Sequence, residues 1–380
     1  MDRDLVVAPA IVLGIALLVS GFCFHRMCAL GIKGYPKWRR ISERMVLSFV
    51  FLVAVAAGAG TTFNAVVTHH YRARHAAPGS LYMVDGYKIH LHCSGEGSPT
   101  IVLDGGLGDD SLIWAKVQPE LSKITRVCAY DRAGFGWSDP RPGPRDADRI
   151  VQELHLLLTE AGISGSTVLM GHSVAGLYIR AYAARYPQKL SGLVFVDGST
   201  PLQEDLFPEE LREEDKNAEL EFMKLKWFEI LGATRAMGQC RHFEGFDDLT
   251  GKMIAENQCR ASQLTAMGRE HQSFRQSSNQ TAGTGPFGDL PILIFSQDPQ
   301  PSAPSESPTQ AEVEFRKIWN EMQEDLKHLS THSRRIIAKG SSHYIQVDRP
   351  DLLNSEVTDF IQQIRGKVSQ PTDYGTTKIE

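Results

Sequence analysis

The 380-residue sequence predicts an α/β domain with a mostly parallel sheet, tethered by two membrane-crossing helices. Three observations predict it. Two uncharged apolar runs fill most of the first 75 residues. From about Ser80, short β-rich runs alternate with helical stretches. The alternation breaks once, over residues 201–285, where a polar, helix-prone insertion separates two strands. The chain is long enough to bury a large core, and its 42% apolar and 22% charged residues exclude disordered and fibrous classes. A net charge of -5 argues against a nucleic-acid binder. That charge is uneven, with +6 in residues 1–75 and -11 in the remainder.

Residues 5–24 and 45–67 are apolar runs of 20 and 23 residues. At about 1.5 Å per helical residue, each matches a hydrocarbon core of about 30 Å. Thr61, Thr62 and Asn64 make the far end of the second run wetter. Pro9 sits in the first turn of the first run, where its missing N–H does little harm. A cleaved signal peptide is the plainer reading of residues 5–24, but Asp2-Arg3-Asp4 carries the wrong charge and the run is long for an h-region. The link between the runs carries Arg26, Lys33, Lys37, Arg39, Arg40 and Arg44 against one Glu43. The positive-inside tendency places this link in the cytoplasm and both termini on the other face, while Arg72 and Arg74 pull the other way.

Candidate strands follow at 80–84, 87–93, 100–103, 126–130, 167–170, 192–196, 292–295 and 335–338. His90 and His92 alternate on the second of these and are expected to face solvent or the insertion. Ile150, Leu154, Leu157 and Leu158 share one helical face, as do Leu353, Val357, Phe360, Ile361 and Ile364. The insertion at 201–285 opens with eight Asp/Glu between Pro201 and Leu220 and reads as a lid. Residues 300–309 read as a Pro/Ser-rich loop, and residues 367–380 as a frayed tail. The domain reading is therefore a membrane anchor at 1–75, an α/β core at 76–200 and 286–366, a helical cap at 201–285 and a flexible tail at 367–380.

The chemistry begins at Gly171-His172-Ser173-Val174-Ala175-Gly176, where an apolar strand runs into a helix. A serine on such a turn exposes its hydroxyl above the sheet edge, and small neighbours let backbone segments approach. The alternative is an ordinary helix N-cap serine. Ala175 stands where the usual G-x-S-x-G pattern has its second glycine, a mild departure. Asp104-Gly105-Gly106-Leu107-Gly108 ends a strand in a loop able to turn a backbone N–H toward an oxyanion. The Gly-x-Gly of Tyr130-Asp131-Arg132-Ala133-Gly134-Phe135-Gly136-Trp137-Ser138-Asp139 runs into DPRPGP rather than a helix, which rejects a dinucleotide site. Ser341-Ser342-His343-Tyr344 lies between the last strand and the last helix.

These motifs, in this order over about 80–365, resemble the α/β-hydrolase superfamily, in its lidded branch of serine hydrolases such as prolyl aminopeptidase-like enzymes and esterases. The resemblance implies an eight-stranded, mostly parallel sheet with a helical cap. It implies Ser173 as nucleophile, His343 as general base and Asp298 as acid, with Asp197 at the end of the sixth strand as the rival acid. It also implies oxyanion donors at the N–H of Val174 and Gly106; Asp104 in place of the usual histidine leaves Leu107 open as an alternative to Gly106. Haloalkane and epoxide hydrolysis need a carboxylate where Ser173 stands. In the resembled fold the second and fourth strands are antiparallel neighbours, so Cys93 and Cys128 are candidates for a disulfide, as are Cys240 and Cys259 within the cap. Reduced thiols are the alternative, expected if the domain faces the cytoplasm.

The expected function is a membrane-anchored serine hydrolase acting on a small-molecule or lipid-like ester or amide, with the catalytic domain on the non-cytoplasmic side. An acyltransferase or perhydrolase on the same fold and a non-catalytic membrane receptor or scaffold are the alternatives. No cofactor, no metal site and no nucleic-acid partner are expected, and the oligomeric state is left open. His69, His70 and His75 lack a carboxylate or cysteine at ligand spacing.

Overall fold

The computed structural model describes residues 3–32, 34–300, 309–366 and 374–380. Helices α1 (Arg3–Ile32) and α2 (Lys37–Arg74) form an antiparallel hairpin. Arg26 pairs with Glu43 at 2.6 Å near its turn. Both helices outrun the predicted spans, because the charged flanks continue the same helical backbone. Only 11% of the most apolar window of either helix is buried. Leu17, Leu18, Phe22, Phe49 and Leu52 stand uncovered. A core helix would have hidden them, so both are candidate membrane spans.

The remainder is an α/β domain. Strands β1 (Ser80–Val84), β2 (Tyr87–Ser94) and β3 (Thr100–Asp104) come first, then α3 (Gln118–Leu121), β4 (Val127–Tyr130), α4 (Ala147–Glu160), β5 (Thr167–His172), α5 (Ala175–Arg185) and β6 (Leu190–Val196). The chain then passes through α6 (Gln203–Leu206), α7 (Glu209–Lys216), α8 (Ala218–Ile230), α9 (Ala233–Ala236), α10 (Asp248–Gln258), α11 (Ala261–Gln272) and α12 (Phe274–Thr281). It re-enters the sheet at β7 (Ile292–Gln297), followed by α13 (Gln310–Asp325), β8 (Ser333–Ala338), α14 (Ile345–Asp348), α15 (Pro350–Ile364) and β9 (Thr377–Ile379).

The sheet order is β1-β2-β4-β3-β5-β6-β7-β8-β9, with β2 antiparallel to both neighbours and every other pair parallel. Both faces are covered, so the central strands are apolar throughout. Leu169 packs with Leu154, Leu157 and Leu177 of α4 and α5. Its neighbours Val168 and Met170 pack on the other face with Leu353, Val357 and Ile361 of α15.

Two expectations change. The sheet has nine strands, not eight, because Thr377–Ile379 of the supposed tail pairs in parallel with β8. The open edge of β8 offers unpaired N–H and C=O groups, and a β-prone segment takes them. His90 faces neither solvent nor the cap: it is buried, with Nδ1 2.8 Å from Asp131.

Cys93 and Cys128 lie directly opposite each other on β2 and β4 and are joined in a disulfide, as are Cys240 and Cys259 in the cap. Cys23 and Cys28 are free. Loop-closure entropy makes bridges of this span worth about 3–4 kcal/mol each. Denatured but unreduced protein is therefore expected to take up thiol reagent at two cysteines, and at all six after reduction. Six reactive thiols before reduction would rule out both bridges.

Candidate active site

Strand β5 delivers Ser173 to the carboxyl edge of the sheet, and α5 starts two residues later. Ser173 has φ +54°, a left-handed conformation that a non-glycine residue holds at a cost of about 1–3 kcal/mol. The turn is pinned on both sides. Its N–H donates to the Val196 carbonyl at 3.1 Å, and its carbonyl accepts from Gly176 and Ser199 at 2.8 Å. A Cβ on Gly171 would stand 2.9 Å from the Ala175 carbonyl oxygen, so the approach needs glycine at 171.

Val196 leads into Asp197, also left-handed at φ +48° and fully buried. Its carboxylate accepts three hydrogen bonds. His343 Nδ1 lies 2.6 Å from Oδ2, while Trp319 Nε1 and the Gln297 N–H each donate to Oδ1 at 3.0 Å. His343 sits in the loop after β8, its ring against those of His172 at 4.7 Å and Trp319 at 5.7 Å. With Nδ1 held by Asp197, Nε2 is the nitrogen left for a proton acceptor's work. Burial pulls the His343 pKa down, but the hydrogen bond and charge of Asp197 outweigh it, and the net shift is upward.

This geometry corrects the choice of Asp298. Its carboxylate accepts the backbone N–H groups of Gln300 and Gly340, each at 2.8 Å, and so ties the end of β7 to the loop after β8. The carboxylate that reaches His343 is the rival, Asp197.

The Gly106 N–H is likewise unavailable as an oxyanion donor, because it donates to Asp109 Oδ2 at 3.0 Å. Leu107 and Val174 flank the cavity above Ser173. Asp104, where the resembled family has histidine, anchors Arg132 at 2.6 Å and accepts the Tyr130 hydroxyl at 2.7 Å. Arg132 also donates to the carbonyls of Gly105 and Gly106 at 2.7 Å and to Glu270 of α11 at 2.9 Å. Burial disfavours this guanidinium cation, yet Glu270 and Asp104 more than offset it and hold its pKa well above the ordinary value.

Residues 99–225 match the alpha/beta hydrolase fold family. An AB hydrolase superfamily protein of Gibberella zeae is 23% identical over 291 residues, 70% of this chain and 87% of that protein. An uncharacterized protein of Schizosaccharomyces pombe is 30% identical over 193 residues, 43% of this chain and 36% of its own length. The chain spans 36% to 51% of the first curated relatives it matches. Among solved structures, a thermophilic esterase from Thermogutta terrifontis shares the fold with a TM-score of 0.55 and 18% identity, over 75% of this chain and 98% of that one. The chain has the α/β-hydrolase fold.

Within this fold a cavity of about 570 Å³ opens over Ser173. Its walls are mixed. Leu107 and Val174 come from the core, Phe207, His271 and Phe274 from the segment between β6 and β7, and Phe315 and Arg316 from α13. Glu204, Arg212 and Glu312 also line it, so the chamber sets apolar and aromatic surface beside charged groups.

Sequence reasoning gave His172 no role. Here its Nε2 donates to the His343 carbonyl at 3.0 Å and its Nδ1 lies 3.3 Å from Asp109, so it braces the loop that carries His343. The Tyr344 ring lies against those of His172 and His343, at 5.0 and 5.8 Å. Trp319 reaches Asp197 from α13, which lies between β7 and the loop that carries His343. Among the described residues, Glu229, Cys240 and Cys259 form the one group of potential metal ligands close together. The two sulfurs are bonded to each other, which leaves a single carboxylate.

Proposed function

We propose that this hydrolase is a membrane-tethered serine hydrolase that cleaves an ester or amide through an acyl-enzyme. The Asp197–His343 contact at 2.6 Å, one residue beyond the Val196 carbonyl that holds the Ser173 turn, carries the reading. Ser173 Oγ attacks the substrate carbonyl and His343 Nε2 takes its proton. Asp197 keeps the imidazole in the right tautomer and stabilises the imidazolium. The N–H groups of Val174, at the start of α5, and Leu107 receive the developing oxyanion. His343 then hands the proton to the leaving group, and water repeats the cycle on the acyl-enzyme.

Tethering rests on the uncovered apolar faces of α1 and α2. The cationic link between them and the two disulfides both favour a catalytic domain outside the cytoplasm. A fluorophosphonate probe tests the chemistry. Labelling of the full-length protein that disappears in Ser173→Ala is expected, and a wild-type protein that takes no label would sink the assignment.

A pH profile follows from the His343 shift. Only neutral imidazole accepts the serine proton, so kcat/KM for a soluble ester is lost as pH falls through the His343 pKa. Because that pKa is raised, the acid limb lies above the ordinary histidine value near 6.5. Asp197→Asn removes the group that raises it and moves the limb to lower pH. An acid limb below that value in the wild type would contradict the pairing.

A further inference from the structure

The helices between β6 and β7 rest on α2 inside its apolar stretch. A Cβ on Gly60 would stand 2.2 Å from the Leu231 carbonyl oxygen, so the two backbones touch. Four residues on, Asn64 Nδ2 donates to the Glu229 carbonyl at 2.6 Å, and Arg235 donates to Asn64 Oδ1 at 2.9 Å. One turn further, Arg235 reaches Thr68 at 3.3 Å, and Lys252 lies over the Tyr71 ring at 6.0 Å. A hydrocarbon core of about 30 Å starting after Arg44 ends about 20 residues later, near Asn64. Gly60 and Leu231 then lie roughly 6 Å below that boundary, while Thr68 and Tyr71 lie above it.

Helix α8 runs directly into this contact. Leu220, Met223, Trp227 and Leu231 recur at helical spacing on one face, the last of them against Gly60. Leu220, Met223, Trp227 and the adjoining Phe228 are 47–51% exposed. The opposite face is covered: Phe222 packs on Gly268 and on the ring of His271, which lines the cavity over Ser173. A helix apolar on both faces has to bury both. The uncovered face is continuous with a membrane span, at the depth where interfacial helices lie.

We infer that α8 lies in the bilayer leaflet that α2 enters from the catalytic side, and that the cavity takes its substrate, a lipid-borne acyl ester, from that leaflet. The inference rests on the hydrolase reading for the substrate and on the spanning of α2 for the depth. Leu220, Met223, Trp227 and Phe228 sit among acyl chains, while Lys224, on the same face and paired with Glu221 at 2.7 Å, and Lys226 reach the headgroups. One helix thickness separates the leaflet from the wall of the cavity.

The test uses the full-length chain in phosphatidylcholine vesicles with and without dibrominated acyl chains. The chain has five tryptophans, so the Trp227 signal is the difference between wild type and Trp227→Phe. Bromine is expected to quench that difference signal. A Trp227 signal untouched by bromine overturns the inference, and a dimer split by Met223→Glu would then name a second copy as the occupant. The supply route is read from turnover. Met223→Glu is expected to keep kcat/KM on soluble p-nitrophenyl butyrate and to lose about tenfold or more on a long-chain diacylglycerol in the vesicles. Equal losses on both substrates overturn the leaflet route. Quenching without turnover of any ester upholds the depth of α8, removes the hydrolase reading and overturns the substrate claim alone.

Discussion

Ser173→Ala is expected to leave a folded, membrane-bound protein whose turnover of a soluble ester falls by roughly 10⁶-fold, the scale of loss when such a nucleophile is removed. The fold should survive because the groups that shape the turn are backbone. The Ser173 N–H and carbonyl make its hydrogen bonds to Val196, Gly176 and Ser199, and alanine keeps all of them. Alanine pays only the same left-handed φ that serine already holds. Circular dichroism and vesicle co-flotation would check the fold, and steady-state kinetics the loss. Near-wild-type turnover would remove Ser173 from the reaction.

The second large effect separates two carboxylates. Asp197→Asn is expected to cost about 10⁴-fold in kcat, the scale set by an imidazole held in the wrong tautomer. The asparagine oxygen can still accept from Trp319 and Gln297, so its amide is directed at His343 Nδ1. The ring must then carry its proton on Nε2, the nitrogen needed as base. Asp298→Asn should be mild, because its oxygen can still accept a backbone N–H from Gln300 or Gly340. The reverse pattern would return the acid to β7.

The positions of Ser173 and His343 in the fold were legible because each follows a strand in an ordered series of motifs, and order survives where identity does not. The carboxylate that meets His343 was not legible to the same degree. Asp197 and Asp298 both end a strand in an aspartate, and only the packing of α13 decides between them. The unusual distance from Asp298 to His343 was the available signal, since it marks the helix that brings Trp319 to Asp197. Gly106 failed for a local reason: Asp109, three residues along, captures its N–H, and glycine-rich composition cannot reveal a side chain that folds back on the loop. The ninth strand was hidden because three residues of β propensity carry no period, and only the open edge of β8 gives them a partner.

Arg132 has a consequence for inhibition. One guanidinium holds the carbonyls of Gly105 and Gly106 and also Glu270 on α11, so prying α11 away would take from a buried cation one of its two carboxylates and leave it Asp104 alone. Loosening of the helical roof and loss of the loop's shape are thus one event. A compound wedged between α11 and that loop would disturb two walls of the cavity over Ser173 at once, through Leu107 and His271.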